Sequence, residues 1–91
     1  MEIKKKTWPE YFEMILKKEK NTELRLADFQ INKGDILILE EYNPEIKKYT
    51  GRKIKKKVKN LIKFNPLDCH TADEIKKFGF YEIELGDENA I

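Results

Sequence analysis

The sequence predicts an α+β fold in which one amphipathic helix packs against a small sheet. Three features indicate this fold: a helical apolar pattern near the N-terminus, an unbroken apolar run at residues 36–39, and alternating apolar and charged residues on both sides of that run. The 91 residues leave room for one hydrophobic core, so we expect a single domain that spans residues 1–91.

The composition is that of a folded domain with a heavily charged surface. Charged residues make up 40% of the chain, yet five Phe, four Tyr and one Trp supply large core side chains. The first residues, MEIKKKTW, lack the apolar stretch of a signal peptide, and no segment approaches the roughly 18 apolar residues of a membrane span. We therefore expect a cytoplasmic protein without a membrane partner.

The cysteine and histidine content limits the chemistry of the chain. Cys69 is the single cysteine, so an internal disulfide is excluded. Asp68, Cys69 and His70 are adjacent, but a metal site needs ligands from a second cluster, and the sequence offers no other Cys or His. We expect no metal and no cofactor.

Residues 8–18 are the clearest predicted helix. Thr7 and Glu10 have the spacing of a capping box, and Pro9 lies in the first turn, where its missing N–H costs nothing. Apolar residues then recur at helical spacing and should face a sheet: Trp8, Tyr11, Phe12, Ile15 and Leu16. A short first strand at residues 2–6 is expected before this helix.

Two strands are predicted after the helix. At residues 22–26, Thr22, Leu24 and Leu26 alternate with Glu23 and Arg25, which predicts a strand with an apolar inner face and a charged outer face. The sequence N-K-G-D at residues 32–35 is a turn signal. The apolar run at residues 36–39 is then expected to be the central strand of the sheet.

The rest of the chain is predicted to hold a hairpin and further short elements. Residues 42–51 read as a hairpin connection, and residues 53–64 alternate again, with a bulge or an exposed strand end where Lys56 and Asn60 interrupt the apolar face. Thr71 or Asp73 should cap a short helix that runs to Lys77. A last strand at residues 80–85 and a frayed acidic tail from about Gly86 complete the prediction.

The order of these segments resembles the ASCH superfamily, whose fold is PUA-like, and in particular its small uncharacterised bacterial and phage members. The resemblance runs from about residue 8 to residue 62 and is carried by WPEYFEMIL, KNTELR, KGDILIL and YNPEIKKYTGR. The superfamily signature G-x-K-x-x-E-x-R matches Lys20, Glu23 and Arg25, whereas Lys18 occupies the glycine position. The resemblance implies a small PUA-like mixed β-barrel of about five or six strands, with the helix packed against it.

The same resemblance implies a cleft beside the helix that binds RNA or a modified nucleotide. Lys20 would present a compact cation, Arg25 a planar set of donors suited to phosphate, and Glu23 an acceptor for a base amino group. Because Glu23 and Arg25 are two residues apart on a strand, they can also pair with each other. A structural ion pair is therefore the alternative to a binding site.

A second candidate surface is the basic segment between Arg52 and Lys63, which holds seven basic residues and no acidic one. Such a segment can bind a nucleic-acid backbone without sequence preference, and Tyr42, Tyr49 and Phe64 are near enough in sequence to offer stacking faces. A solvated lysine face is the alternative. The residues predicted to contact the backbone are Arg52, Lys53, Lys55, Lys57 and Lys59.

Two other function classes remain open. One ASCH branch hydrolyses acetylated cytidine with a lysine, a threonine nucleophile and a glutamate, but Glu23 occupies the position of that threonine, and Thr22 should point to the other side of the strand. A protein-interaction module could use the hairpin at residues 42–51 or a free strand edge. We predict non-catalytic binding, with hydrolysis and protein interaction as the alternatives.

Overall fold

The computed structural model describes residues 1–81, 83, 85 and 86. The chain divides into two compact units, Met1–Leu61 and Ile62–Ile91. The first unit holds strand β1 (Glu2–Thr7), helix α1 (Pro9–Leu16), strand β2 (Ile36–Asn43) and strand β3 (Lys48–Lys57). The second unit holds a 3₁₀ helix (Pro66–Asp68) and helix α2 (Ala72–Phe78). The α+β composition is thus present.

The three strands form an open sheet in the order β1-β2-β3. Strand β2 is central, as its apolar run predicts; it pairs in parallel with β1 and antiparallel with β3. The expected PUA-like mixed β-barrel of five or six strands is wrong for the described part of the chain, which forms this three-stranded sheet and two α-helices. A closed barrel needs more strands than the described residues supply.

Helix α1 connects the parallel strands β1 and β2 and packs against β2. Its residues Phe12 and Ile15 are buried, and Ile15 joins Leu37 and Leu39 in the core cluster. Parallel strands need a crossover of this kind, because a tight turn cannot return the chain to the same end of the sheet. The core therefore lies between α1 and one face of the sheet.

The start of α1 differs from the prediction. Trp8 occupies the N-cap position and supplies no side-chain cap to the described helix, so the capping box expected from Thr7 and Glu10 is wrong. Thr7 instead ends β1 and is buried at 3% exposure. The helix ends at Leu16, and the chain leaves it through Lys18, whose φ of 62° is left-handed. Lys18 occupies the glycine position of the signature, and glycine adopts this left-handed backbone conformation more readily than other residues do.

The segment after α1 is not a strand of the described sheet, and its two faces are the reverse of those predicted. Leu24 and Leu26 are 58% and 82% exposed, whereas Glu23 and Arg25 are half-buried. The charged side chains are held on the inside because Arg25 hydrogen-bonds the buried Thr7. The predicted turn at residues 32–35 is confirmed, with the Asp35 N–H donating to the Asn32 carbonyl oxygen.

The connection between β2 and β3 is shorter than predicted, and the hairpin contains a bulge at a position that was not predicted from the sequence. Glu40 pairs with Lys53 and Tyr42 with Tyr49, so Glu41 stands opposite the three residues Thr50, Gly51 and Arg52. Gly51 has φ +94°, a conformation that residues with a side chain rarely adopt. Strand β3 ends at Lys57, and Ile62 and Phe64, expected on its inner face, are exposed.

The second unit contains a well-capped short helix. The Glu74 N–H donates to Thr71 Oγ1 at 3.1 Å, and the Thr71 N–H donates to Glu74 Oε1 at 2.8 Å, which completes a capping box. The prediction that Thr71 caps a helix here is confirmed. The predicted last strand at residues 80–85 and the acidic tail include residues outside the described set. Neither described helix is long and apolar enough to cross a membrane.

Candidate functional site

The three signature residues lie together in one chain of ion pairs. Lys20 Nζ is 3.1 Å from Glu23 Oε1, and Arg25 Nε is 3.0 Å from Glu23 Oε2, so Glu23 bridges the two cations. Lys20 also donates to the carbonyl oxygen of Thr22. The side chains are 19–29% exposed. Both oxygens of Glu23 are therefore committed to neighbouring cations.

Arg25 fastens this chain of ion pairs to the sheet. Its Nη2 donates to Thr7 Oγ1 at 3.1 Å, and Thr7 is the last residue of β1. Neither this bond nor the bond to Glu23 uses Nη1, which keeps its own two N–H donors. Among the described residues, two bonds thus hold Arg25 in place, and Nη1 is left for a further acceptor.

An open depression of ≈ 370 Å³ lies beside Arg25. Of the three signature residues, Arg25 alone lines it within the described part of the chain. This depression is therefore centred on β1, whereas the cleft was predicted beside the helix and around all three signature residues. Its lining residues are four cations, one carboxylate and one aromatic ring: Lys4, Lys5, Lys6, Arg25, Glu40 and Tyr49.

Aromatic rings stand beside the lysines of β1. Lys6 Nζ lies 4.3 Å from the ring centroid of Tyr42 and 5.8 Å from that of Tyr49, and the two rings meet edge to face at 5.1 Å. Lys5 Nζ lies 3.7 Å from the centroid of Phe29. Tyr49 is 52% exposed, so much of its ring is accessible. Cations thus lie beside aromatic rings at and around this depression, whereas the predicted surface of cations and stacking rings was the basic segment between Arg52 and Lys63.

The residues predicted to contact a nucleic-acid backbone separate onto different surfaces. Lys53, Lys55 and Lys57 are exposed alternate residues of β3, so they share one face of the sheet. Lys55 lies 3.5 Å from Glu2 of β1 on that face. Lys59 follows the end of β3 and lines a second open depression of ≈ 670 Å³, together with Lys33, Gly34, Lys57 and Val58.

Arg52 belongs to a structural network on the opposite face. Glu41 is buried at 4% exposure and accepts from Arg52 Nε at 3.0 Å, from Arg52 Nη2 at 2.9 Å and from Thr50 Oγ1 at 2.6 Å. Arg52 also pairs with Glu13 of α1 and lies 4.9 Å from the ring centroid of Phe12. Because Thr50, Gly51 and Arg52 form a bulge opposite Glu41, the side chains of Thr50 and Arg52 both reach the Glu41 carboxylate.

The electrostatics of this network are those of a permanent ion pair. Hydrogen bonds from Arg52, and then from Thr50, lower the pKa of Glu41 below its ordinary value of 4.5 although burial opposes the shift. The bonds to Glu41 and Glu13 raise the pKa of Arg52. Glu13, Glu41 and Thr50 were not predicted from the sequence as parts of this network. The alternation of β2 predicts a buried side chain at position 41, so the glutamate there is the feature from which an internal ion pair could have been predicted.

The chain is similar to one family of proteins. A family model described as a domain of unknown function (DUF3850) matches residues 3–72. This range includes β1 from Ile3 onward, α1, the signature segment and the whole of the hairpin. No curated protein and no solved structure matches the chain. Among the described residues, no group of three or more His, Cys, Asp and Glu is arranged to hold a metal ion.

Proposed function

The chain belongs to the DUF3850 family, and we propose that its function is to bind RNA, or a modified nucleotide, without catalysing a reaction on it. One observation carries the proposal: the depression at β1, which is lined by Lys4, Lys5, Lys6 and Arg25 together with the half-exposed ring of Tyr49. Glu40 is the one carboxylate among its lining residues within the described chain. The balance of charge therefore favours an anionic ligand.

The chemistry of the lining residues fits a nucleotide in two ways. The lysine ammonium groups and Arg25 Nη1 supply donors for phosphate oxygens, and the exposed ring of Tyr49 supplies a face on which a base can stack. Glu40 offers an acceptor for a base amino group. The resemblance of the Lys20, Glu23 and Arg25 signature to the ASCH superfamily supports the same ligand class.

The hydroxyl groups of the described chain support binding rather than hydrolysis. Thr7 Oγ1 is hydrogen-bonded to the signature residue Arg25, but Thr7 is buried and this oxygen acts as the acceptor, which lowers its nucleophilicity. Thr50 does donate to a carboxylate, but the pKa of Glu41 is lowered by Arg52, so Glu41 is a poor base. We therefore propose a binding protein.

Fluorescence anisotropy with a labelled ten-nucleotide oligouridine at low salt tests this function. We expect the double variant Lys4→Ala/Lys6→Ala to bind at least tenfold more weakly than the unchanged protein. Tyr49→Ala removes a stacking contact worth about 1–3 kcal/mol, so it should weaken binding by roughly five- to 150-fold.

The matched control is the double variant Lys17→Ala/Lys48→Ala. It removes the same charge from two exposed lysines of the first unit that do not line the depression of the described chain. At about 0.1 M salt, where the Debye length is about 10 Å, its affinity should stay within about twofold of the unchanged protein, because neither lysine lines the depression. Absence of binding by the unchanged protein to this RNA, and to single nucleotides, would overturn the proposal.

A further inference from the structure

We infer that the ligand is single-stranded RNA that lies along the sheet face opposite α1, from the depression at Tyr49 to the depression at Lys33, Lys57 and Lys59. This inference rests on the proposed function and specifies the form and path of its ligand. The two depressions involve different ends of the strands: Tyr49 is near the start of β3, and Lys57 is its last residue.

The strand register places a row of lysine pairs between the depressions, with one lysine of each pair on β1 and the other on β3. Ile38 has Lys4 and Lys55 as its register partners, and Glu40 has Lys6 and Lys53. Register partners share a face of the sheet, and Leu37 and Leu39 pack with Ile15 on the other face. The face opposite α1 therefore carries five exposed lysines, namely Lys4, Lys6, Lys53, Lys55 and Lys57.

Two carboxylates of the described chain interrupt this row. Glu2 pairs with Lys55 at 3.5 Å, and Glu40 is half-buried in the centre of the sheet. A further pair of lysines, Lys33 and Lys59, extends the cations beyond the strand ends. The excess of positive charge is therefore distributed along the strands, which suits a polyanion better than an isolated phosphate.

The length of the face sets the length of the ligand. Tyr49 pairs with Tyr42 and Lys57 pairs with Ile36, so the face spans six residues of β2, which at about 3.3 Å per residue is about 20 Å. A stacked strand advances about 3.4 Å per nucleotide, so the row accommodates at most about six nucleotides, and fewer if the strand is extended. Affinity should therefore increase with RNA length only up to this limit.

The exposed ring favours a single strand over a duplex. A base stacks on Tyr49 only if it is not enclosed in a helix, and lysines contact phosphates without reading the sequence. In a duplex, the bases are stacked on each other and cannot use the ring. The sheet face should thus prefer unpaired RNA of any sequence.

Oligouridines of two, four, six and ten nucleotides, measured by competition against the labelled decamer, test the inference. We expect affinity to rise at least tenfold from two to six nucleotides. The ten-nucleotide RNA should then bind more tightly only by the factor that comes from the larger number of positions at which it can occupy the same site. Lys33→Ala/Lys57→Ala should weaken binding of the six- and ten-nucleotide RNAs about tenfold while leaving the dinucleotide unchanged. Lys4→Ala/Lys6→Ala should weaken all four.

The outcomes separate the inference from the function on which it rests. If Lys33→Ala/Lys57→Ala does not affect the longer RNAs, or if a matched RNA duplex binds as tightly as the single strand, the inferred path is wrong while the proposed function stands. If single nucleotides bind but none of the RNAs does, the inference alone is wrong, and if neither binds, both are wrong. Unchanged urea midpoints, followed by the fluorescence of Trp8, show that the variants are folded, since these lysines are exposed.

Discussion

Single side chains explain why two similar charged clusters have different roles in this protein. Glu41 is buried and accepts three hydrogen bonds, so its carboxylate is an internal anchor that joins α1 to the hairpin through Arg52. Arg25 is half-buried, and two of its three nitrogens are engaged by the bonds to Glu23 and Thr7. The first cluster is saturated, whereas the second retains donors beside an open depression.

Replacement of Glu41 by Gln should destabilise the protein at neutral pH. The variant loses a charge-assisted pair with Arg52, and because Arg52 is exposed to solvent we expect a modest loss of about 1–2 kcal/mol in the free energy of unfolding. Urea unfolding followed by the fluorescence of Trp8 measures this loss. Glu45→Gln, at an exposed glutamate of the hairpin turn, is the matched control and should have no effect.

The same pair of proteins should show a pH dependence with a defined sign. The pKa of Glu41 is lower in the folded state than its ordinary value of 4.5, so its contribution is fully present above that value and is lost as the pH falls through the folded pKa. The stability difference between the unchanged protein and Glu41→Gln should therefore shrink from pH 7 towards pH 3. A difference that is constant over this range would contradict the assigned ion pair.

The signature could be predicted from the sequence only in part. The spacing K-x-x-E-x-R correctly indicated that Lys20, Glu23 and Arg25 would lie together, and the ion-pair alternative describes Glu23 well. The alternation with Leu24 and Leu26 predicted the wrong inner face, because hydrophobicity alone does not reveal a buried hydroxyl at Thr7 that accepts from Arg25. A tertiary hydrogen bond decided the orientation.

At the scale of elements, helix α1 is the main support of the sheet. Phe12 is 1% exposed and lies beneath Arg52, so Phe12→Ala should create a cavity and cost about 3–5 kcal/mol in the free energy of unfolding. Tyr11→Ala is the control on the same helix, because Tyr11 is 46% exposed. It should cost less than about 1 kcal/mol. Equal losses at the two positions, measured by urea unfolding, would contradict the observed orientation of α1.

Helix α2 depends on its cap because it contains no buried residue. Thr71→Ala removes the acceptor for the Glu74 N–H and should cost about 1 kcal/mol, which increases the hydrogen-exchange rate of the Ile75 amide roughly fivefold. Thr71→Ser keeps the hydroxyl and should leave the rate nearly unchanged. If serine and alanine give the same rate, the hydroxyl does not cap this helix.

The two predicted caps show what local sequence can and cannot predict. Thr7 and Glu10 have the same spacing as Thr71 and Glu74, yet only the second pair forms a capping box in the structure. Thr71 belongs to no strand, so its backbone can adopt the conformation of an N-cap. Thr7, in contrast, is held in β1 by its pairing with β2. Similarly, the central strand β2 was predicted correctly from its apolar run. The barrel was predicted wrongly, because the strands that pair with one another depend on segments far apart in the sequence.

At the scale of the whole molecule, charge distribution matters more than net charge. The formal net charge is only +2, because 19 basic residues are nearly balanced by 17 acidic ones. A polyanion responds to the local field, however, and the sheet face opposite α1 concentrates lysines in a row. Binding should therefore be strongly sensitive to salt, even though the protein as a whole is close to neutral.

If the sheet face opposite α1 binds RNA as proposed, the salt dependence of the affinity gives a count of the phosphates that this face contacts. If about four phosphates are neutralised, the logarithm of the affinity should fall against the logarithm of salt concentration with a slope near −3, so affinity drops roughly 50-fold between 50 and 200 mM salt. Lys4→Ala/Lys6→Ala should make this slope shallower by about 1.4, because two phosphate contacts are lost. Lys17→Ala/Lys48→Ala should leave the slope unchanged although it alters the net charge equally. If both double variants change the slope to the same extent, the overall charge, and not the sheet face, governs binding.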